Sequence, residues 1–353
     1  MPDLSRRRLL QAGLALAGTA LLPRCGVVEE AADLNAPFDT AISMEPVARV
    51  ASTVDRFHFP HFVNKDGVLN AYFIDHSGAS ENDVGMAVSL DGINFTYRGK
   101  VLEKGAWYDS AQASFPAAQY VDGTWHLLYE GKDGVYDINS VCWATSRDGM
   151  NWTKKGPVIR PNNAAALAFM PDVPTPGPVA DVDVGTPTFF HDGSVWHVYY
   201  HMTKQEPWTV RIGYATGTSL DALTCSPMAL VDVQGAGELE SGTVGARSNV
   251  VRIGQWYYMA YEWSTAIVDG STSRAADGAG PSKAFANSWW GTSLLRSAYP
   301  GSGWKRWDHN PLLRNPAVGF GYDGPELLYT AEGLYLYYRA DGNNTWRTKL
   351  VMA

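Results

Sequence analysis

The sequence predicts an all-β fold, a five-bladed β-propeller with four-stranded antiparallel blades, and two repeated features support this interpretation. A Ser-x-Asp-Gly-x-x-aromatic turn follows a strand-like run twice, at residues 89–95 and 146–152. Apolar runs that an Asp-Gly pair interrupts, such as residues 120–129, recur along the chain and are typical of hairpins. A hairpin-only unit that repeats roughly every 50 to 80 residues indicates a propeller, which brings the inner strand of each blade to one axis.

The predicted strands form five groups along the chain. They are 59–63, 69–74 and 84–89; 114–120, 125–129 and 140–146; 185–190, 195–200 and 211–216; 248–253, 256–261 and 293–297; and 324–329, 334–338 and 346–351. The last group lacks a fourth strand, and we predict that residues 47–50 supply it, because closing the ring removes free sheet edges. Segments 157–187 and 264–288 are predicted to be long loops.

The composition agrees with this fold and narrows the class of partner. The chain has 353 residues, with 13 Trp, 18 Tyr and 35 Gly but only 18% charged residues. Such a balance suits short strands with tight turns, and it supplies aromatic rings that can stack on sugars. The net charge of −8 argues against a nucleic-acid partner, for which a basic surface is expected. We expect a monomer that binds a carbohydrate.

The N-terminal segment predicts export. Residues 5–11, Ser-Arg-Arg-Arg-Leu-Leu-Gln, resemble a twin-arginine motif, and the apolar run 12–22 that follows is too short to span a bilayer. We therefore predict a signal segment over residues 1–25, a linker over 26–44, and a periplasmic or extracellular protein. Arg24 directly before Cys25 departs from a lipoprotein motif and argues against a lipid anchor.

Acidic residues precede every predicted inner strand, at the position that lines the central funnel of a propeller. They include Asp55, Asp109, Asp183, Glu240 and Asp323. A ring of carboxylates separates the pKa values of its members by mutual repulsion. Glycosidic cleavage needs such a separation, with one protonated acid and one ionised base or nucleophile. Among the Asp-Gly pairs of the chain, we assign Asp91, Asp122, Asp148 and Asp192 to turns.

Two motifs together resemble the five-bladed propeller glycosidases, which include glycoside hydrolase families 43, 32, 62, 117 and 130. They are Trp-Tyr-Asp-Ser at residues 107–110 and the Ser-x-Asp-Gly-x-x-Trp turn, and the resemblance covers roughly residues 45–353. It implies a base or nucleophile Asp, a modulating Asp and a general-acid Glu on successive blades, an order that Asp109, Asp183 and Glu240 fit. Asp323-Gly-Pro resembles the Glu-Gly-Pro acid motif of family 43, so Asp183, Glu240 and Asp323 form an alternative set.

Further residues are candidates for binding the substrate beside these acids. We predict such contacts from Asp55, His58, Trp107, Arg247, Trp290 and Glu326. No EF-hand pattern or zinc-type Cys/His spacing is present in the sequence, so we expect no cofactor and assign no metal ligand. Cys142 and Cys225 are either a disulfide or two buried thiols.

The leading functional hypothesis is an exported glycoside hydrolase acting on a polysaccharide or oligosaccharide, with arabinofuranose-containing glycans among the candidates. One alternative is a propeller that binds glycan without cleaving it. Another is a phosphorylase similar to family 130, which needs a cationic phosphate pocket near the acid. The sequence lacks the Phe-Arg-Ile-Pro motif of sialidases and the Gly-x-Ser-x-Gly elbow of α/β-hydrolases, which disfavours both classes.

Overall fold

The structure is a computed structural model that describes residues 36–45, 47–54, 57–77, 82–205, 207–265, 288–317, 319, 321–340 and 344–353. The strands and the helix described below all lie in one compact unit, Pro37–Ala353. The predicted signal segment with Cys25, most of the linker, Asp55 and most of the loop 264–288 lie outside the described residues.

The described residues form many strands and one short helix, α1 (Ala164–Phe169). The strands in chain order are β1 (Ile42–Met44), β2 (Ala48–Arg49), β3 (Ala51–Ser52), β4 (His58–Lys65), β5 (Val68–Asp75), β6 (Asp83–Ser89), β7 (Asn94–Leu102), β8 (Gln112–Val121), β9 (Thr124–Lys132), β10 (Asn139–Ser146), β11 (Trp152–Ile159), β12 (Asp183–His191), β13 (Trp196–Lys204), β14 (Thr209–Gly217), β15 (Thr224–Cys225), β16 (Thr243–Ile253), β17 (Trp256–Ser264), β18 (Trp290–Ser297), β19 (Lys305–Arg306), β20 (Leu313–Arg314), β21 (Asp323–Thr330), β22 (Gly333–Ala340) and β23 (Asn344–Met352).

These strands pair as five antiparallel meanders. The first runs from β4 to β7 and the second from β8 to β11; the third comprises β12 to β15, the fourth β16 to β20, and the fifth β21 to β23. A single parallel pairing between Val210 and Thr243 joins the third and fourth meanders into one sheet. Strands β1 and β2 pair antiparallel with β23, so the N-terminal segment completes the last meander as predicted.

The meanders follow one another around a common centre. Their first strands contact one another in the cyclic order β4, β8, β12, β16, β21 and back to β4. Each large apolar cluster lies between two neighbouring meanders, as where Leu128 of β9 packs with Val184 of β12, or Met259 of β17 with Tyr199 of β13. An all-β fold whose core consists of layers between successive sheets has the architecture of a β-propeller.

Turn chemistry explains where the strands end. Oδ1 of Asp91 accepts hydrogen bonds from the backbone N–H groups of Ile93 and Asn94, and Asp148 repeats the arrangement in the second meander. These bonds hold the pKa of both carboxyls far below the usual range. Asp122 has a left-handed backbone, and Asp192 accepts from the Ser194 and Val195 amides. The assignment of all four aspartates to turns is confirmed.

Two predictions about the connections need correction. Residues 157–187 are not one continuous loop, because β11 extends to Ile159, α1 follows at Ala164–Phe169, and β12 begins at Asp183. The inner strand of the fourth meander begins at Thr243, five residues before its predicted start at Ser248. In the described part of the chain, no helix is long and apolar enough to cross a membrane.

Candidate functional site

All five inner strands share an irregularity near their first residues, and it directs side chains toward the common centre. The pairing with the second strand shifts at this point in every meander. The residues with left-handed backbone at the shift are Phe59, Phe115, Thr186, Gly245 and Gly324. Three of the five are not glycine, and each such residue costs about 1 to 3 kcal/mol, a strain that proteins concentrate at functional sites.

A group of charged side chains converges at these irregularities, and we call it the axial cluster. It consists of five acids, two histidines and two arginines: Glu130, Asp183, Glu262, Asp323, Glu326, His61, His201, Arg247 and Arg339. All of them are buried except Arg339, which is partly exposed. The rings of Phe59 and Phe115 are half-buried and lie 5.2 Å apart between the first and second meanders.

Asp183 belongs to a buried network between the second and third meanders. Its Oδ1 lies 2.9 Å from Nε2 of His201, whose Nδ1 lies 2.8 Å from Oγ1 of Thr186. Burial lowers the pKa of His201, but the hydrogen bond and charge of Asp183, together with Glu130 and Glu262, outweigh burial and raise it. The pairing with Asp183 therefore makes the His201 imidazole more basic than usual.

Glu130 closes the other side of this network. Its Oε2 accepts the N–H of Thr186 at 2.9 Å, and its Oε1 accepts from Gln112 at 3.0 Å. Burial raises the pKa of Glu130, and the charge of Asp183 adds to the rise. Gly185 allows the close approach, because a Cβ atom at this position would lie only 1.9 Å from Oε2 of Glu130.

Glu262, on β17, is the acid in the cluster with the clearest tendency to hold a proton. Burial and the negative charge of Asp323 raise its pKa to about 8, although the Gly324 amide and both arginines oppose the rise. The Gly324 N–H donates to Oε2 at 3.1 Å. No described residue donates a hydrogen bond to Oε1, and the side chain is 7% exposed. Glu262 is thus protonated at neutral pH and keeps one oxygen available to a ligand.

Asp323 is bound by an arginine on the neighbouring strand. Nε of Arg339 donates to Oδ1 at 2.7 Å and Nη2 donates to Oδ2 at 2.5 Å, across a directly paired position of β21 and β22. A two-pronged pair of this kind fixes the orientation of the carboxyl group. Asp323 acts on the site mainly through its charge, which raises the pKa of Glu262.

The guanidinium of Arg247 has buried N–H groups that lack a hydrogen-bond partner among the described residues. Its Nη2 donates to the carbonyl of Pro60 at 3.2 Å and lies 3.7 Å from Oε2 of Glu326. Nε and Nη1 are buried and have no hydrogen-bond partner in the described structure. Glu326 is held further by His61 at 2.8 Å and Asn249 at 3.0 Å. Buried N–H groups without partners are rare, so Arg247 is a candidate for binding an oxygen atom of a ligand.

Four of the predicted site residues are brought together: Asp183, Asp323, Arg247 and Glu326. His58 is the first residue of β4, and its ring lies beside those of Phe59 and His76. Trp290 is not among the four, because its side chain is 97% buried at the start of β18 within the fourth meander. Trp107 lies outside the cluster and is 53% exposed, with its ring against Phe169.

Asp109 and Glu240 lie in the loops before β8 and β16 and are bound there by other side chains, while a catalytic role for either stays a prediction. Oδ2 of Asp109 is bound by Tyr129 at 2.8 Å and Lys154 at 2.5 Å, and its Oδ1 by two backbone N–H groups. Glu240 repeats the arrangement with Tyr261 at 2.5 Å and Arg306 at 2.6 Å. Each acid joins the loop before an inner strand to two later strands of its own meander, through a tyrosine and a basic residue.

Glu130, Glu262 and Arg339 were not predicted, yet a sequence signal for them exists. Near the end of the second strand of four meanders, a buried tyrosine directly precedes a polar residue of the cluster. The pairs are Tyr129-Glu130, Tyr200-His201, Tyr261-Glu262 and Tyr338-Arg339. Successive side chains of a strand point to opposite faces, so a tyrosine packed in one apolar layer places the next residue on the other face of its sheet.

Two further predictions concern cysteine and metal. Cys142 and Cys225 are free thiols, so they do not form a disulfide in this structure. Among the residues described, no group of three or more His, Cys, Asp or Glu side chains is arranged to hold a metal ion.

Comparison with known proteins identifies the fold. No known family profile matches the chain. A 1,2-β-oligomannan phosphorylase from a Thermoanaerobacter species is 34% identical over 87 residues, which is 24% of this chain and 29% of that protein.

Two solved structures cover most of the chain at low sequence identity. A thermostable family-43 glycoside hydrolase matches 88% of this chain and 92% of its own, with 11% identity and a TM-score of 0.57. A family 117 glycoside hydrolase from the marine bacterium Zobellia galactanivorans matches 89% and 91%, with 12% identity and a TM-score of 0.57. The resemblance predicted from the motifs is confirmed at the level of the fold: this chain has the β-propeller fold of glycoside hydrolases from families 43 and 117.

Proposed function

We propose that this protein is a glycoside hydrolase whose five meanders are the blades of a five-bladed propeller with its active site at the axial cluster. The cyclic contacts of the five inner strands support the count of blades. One observation carries the function: one buried cluster holds an acid whose pKa is raised to about 8, Glu262, and a second acid, Asp183, that is paired with His201 at 2.9 Å. Glycosidic cleavage requires such a pair.

In this proposal Glu262 is the general acid. Its proton passes to the glycosidic oxygen as the bond to the anomeric carbon breaks, and the leaving sugar departs as a neutral alcohol. Asp183 has one of two roles. It either takes a proton from the water that attacks the anomeric carbon, or it attacks that carbon itself as the nucleophile. His201 holds Asp183 in place directly, and Glu130 supports His201 by binding the N–H of Thr186, whose hydroxyl contacts that histidine. Asp323 raises the pKa of Glu262 through its charge.

The substrate is held by Arg247 and by the two half-buried phenylalanines. The unpartnered Nε and Nη1 of Arg247 suit sugar hydroxyl oxygens, which accept hydrogen bonds from a guanidinium. Phe59 lies beneath both arginines, with ring-centroid distances of 5.8 Å to Arg247 and 5.1 Å to Arg339. Replacing Arg247 by Gln should lower kcat/KM about 10- to 100-fold, the effect of losing one or two charged hydrogen bonds.

A phosphorylase is the second candidate, and Arg247 also favours it. The same two N–H groups suit phosphate oxygens, and they lie in one cluster with the acid Glu262. A short stretch of the chain is similar to a 1,2-β-oligomannan phosphorylase. In that reaction phosphate replaces water as the nucleophile, and the product is a sugar 1-phosphate.

The decisive experiment measures sugar release from arabinan, xylan, fructan, galactan and 1,2-β-mannan oligosaccharides, with and without inorganic phosphate. Wild type is compared with Glu262→Gln and Asp183→Asn, and with the exposed Glu332→Gln as a matched control. Loss of release in the two cluster variants alone supports the proposal. Strict dependence on phosphate selects the phosphorylase. Retained glycan binding without any release refutes an enzyme and favours a glycan-binding propeller.

We also propose that the chain is exported through the twin-arginine route and acts as a monomer outside the cytoplasm. Ser5-Arg6-Arg7 and the apolar run 12–22 support export. Replacing Arg6 and Arg7 together by Lys should retain the protein in the cytoplasmic fraction, which cell fractionation measures. Sedimentation of the purified protein at about 38.5 kDa or less would agree with a monomer, and a larger mass would contradict it.

A further inference from the structure

A cavity of about 310 Å³ lies between the second and third meanders. Its walls come from the β9–β10 turn, from α1, from the residues before β12 and from the β13–β14 turn. Val182, which lines it, directly precedes Asp183. The cavity volume falls at the lower end of the range for small-molecule sites.

The lining of this cavity combines aromatic rings with neutral and acidic polar groups. Tyr136 and Trp208 supply the rings, and Asn163, Asp181 and Gln205 supply the polar groups. A sugar ring presents an apolar face for stacking and a rim of hydroxyl groups for hydrogen bonds. The combination of flat rings and polar side chains in one cavity suits both parts of a sugar.

An exposed aromatic surface continues outward from the cavity, and we call its residues Trp107, Tyr136 and Phe169 the ledge. The ring centroids of Tyr136 and Phe169 are 4.9 Å apart, and those of Phe169 and Trp107 are 4.8 Å apart. Tyr136 is 56% exposed and Trp107 is 53% exposed. Adjacent aromatic rings exposed in this way mark an interaction surface.

We propose that the cavity and the ledge bind further sugar units of a neutral glycan chain whose cleaved bond lies at Glu262 and Asp183. The inference deepens the proposed function and rests on it, because it assigns the substrate to polymers or long oligosaccharides. The described lining of the cavity includes Asp137 and Asp181 but no lysine or arginine. Lys132 is already paired with Asp137. A polyanionic glycan would find no free cation in this described lining and would be repelled by Asp181, so the chain that binds is uncharged.

The test is affinity gel electrophoresis, which reports binding whether or not cleavage occurs. Gels contain arabinan, xylan, galactan or 1,2-β-mannan as neutral probes, and polygalacturonate as the charged probe. The variants are Tyr136→Ala and Trp107→Ala, each beside the conservative change to Phe. Tyr329→Ala, which removes a ring that is 51% exposed on the fifth meander, is the matched control.

We expect at least one neutral polymer to retard wild type and the control, and each Ala variant to bind it about tenfold more weakly, the effect of one lost aromatic contact. The Phe variants should keep most of the retardation. Retardation by polygalacturonate alone, no retardation by any polymer, or equal retardation of wild type and both Ala variants would overturn the inference. If the ledge binds but no glycan is cleaved, the proposed hydrolase is wrong while the binding site stands.

Discussion

The backbone N–H of Gly324 donates a hydrogen bond to Oε2 of Glu262 at 3.1 Å, and this contact joins the acid to the strand that carries Asp323. Gly324 has a left-handed backbone, and a Cβ atom there would lie 2.5 Å from the ring of Phe59. The position therefore requires glycine for two reasons. The turn at Gly324 thus brings together Glu262, the charge of Asp323 that raises its pKa, and the ring of Phe59.

The charge of Asp323 should set the upper pH limit of activity. Because Glu262 must be protonated to act as the acid, kcat/KM should fall as the pH rises through about 8. Asp323→Asn removes the repelling charge and frees Arg339, and both changes lower the pKa of Glu262. We expect the alkaline limb of the kcat/KM profile to move down by roughly one pH unit or more. Asp66→Asn, on an exposed turn, is the control, and an unmoved limb in Asp323→Asn would exclude Glu262 as the acid.

The same proton should make the stability of the protein depend on pH. The unfolded chain loses the Glu262 proton near pH 4.5, whereas the folded protein keeps it to about pH 8. Unfolding therefore releases a proton between these values, and the free energy of unfolding falls as the pH rises. Glu262→Gln should remove this loss, so its Tm should exceed that of wild type by more at pH 9 than at pH 5. Each kcal/mol is worth roughly 2 °C, and a Tm difference that does not change with pH would contradict the raised pKa.

Asp109 should matter for stability and not for chemistry. Its carboxylate is buried and joined to Tyr129, Lys154 and two amides. Breaking a buried charged pair from one side costs about 3 to 5 kcal/mol, so Asp109→Asn should unfold at markedly lower denaturant. Its folded fraction should keep wild-type kcat/KM and an unchanged pH profile. Full stability with lost activity would return Asp109 to the catalytic set.

The sequence predicted the hairpins well because their signals are local. Asp-Gly pairs and the Ser-x-Asp-Gly turns act through hydrogen bonds within three residues, as at Asp91 and Asp148. Closure by the N-terminal segment could also be predicted, because the last group of strands was one short. The extent of β11 and the early start of β16 could not be predicted, because pairing with a neighbouring strand determines where each of them begins and ends.

The acids of the axial cluster were predicted only in part. The prediction considered only acidic residues that directly precede an inner strand. Asp183 and Asp323 follow that rule as the first residues of β12 and β21. Asp109 and Glu240 also precede inner strands, but Tyr129 and Tyr261 bind them from across the meander, a contact that sequence spacing does not reveal. The acid with the raised pKa lies on a second strand instead.

Gly185 should be indispensable to the network around Asp183. A Cβ atom at this position would lie 1.9 Å from Oε2 of Glu130 and 2.5 Å from its Cδ, so Gly185→Ala must displace a buried acid. Glu130 would then lose the Thr186 N–H, and overpacking of this kind costs about 1 to 3 kcal/mol. Gly235→Ala is the matched control, because nothing lies within 4 Å of a Cβ atom there. We expect a lower Tm and a fall in kcat/KM of at least about tenfold for Gly185→Ala alone, measured by thermal melts and by sugar release. Equal behaviour of the two variants would mean that Glu130 can move without disturbing Asp183, and the support assigned to it would be wrong.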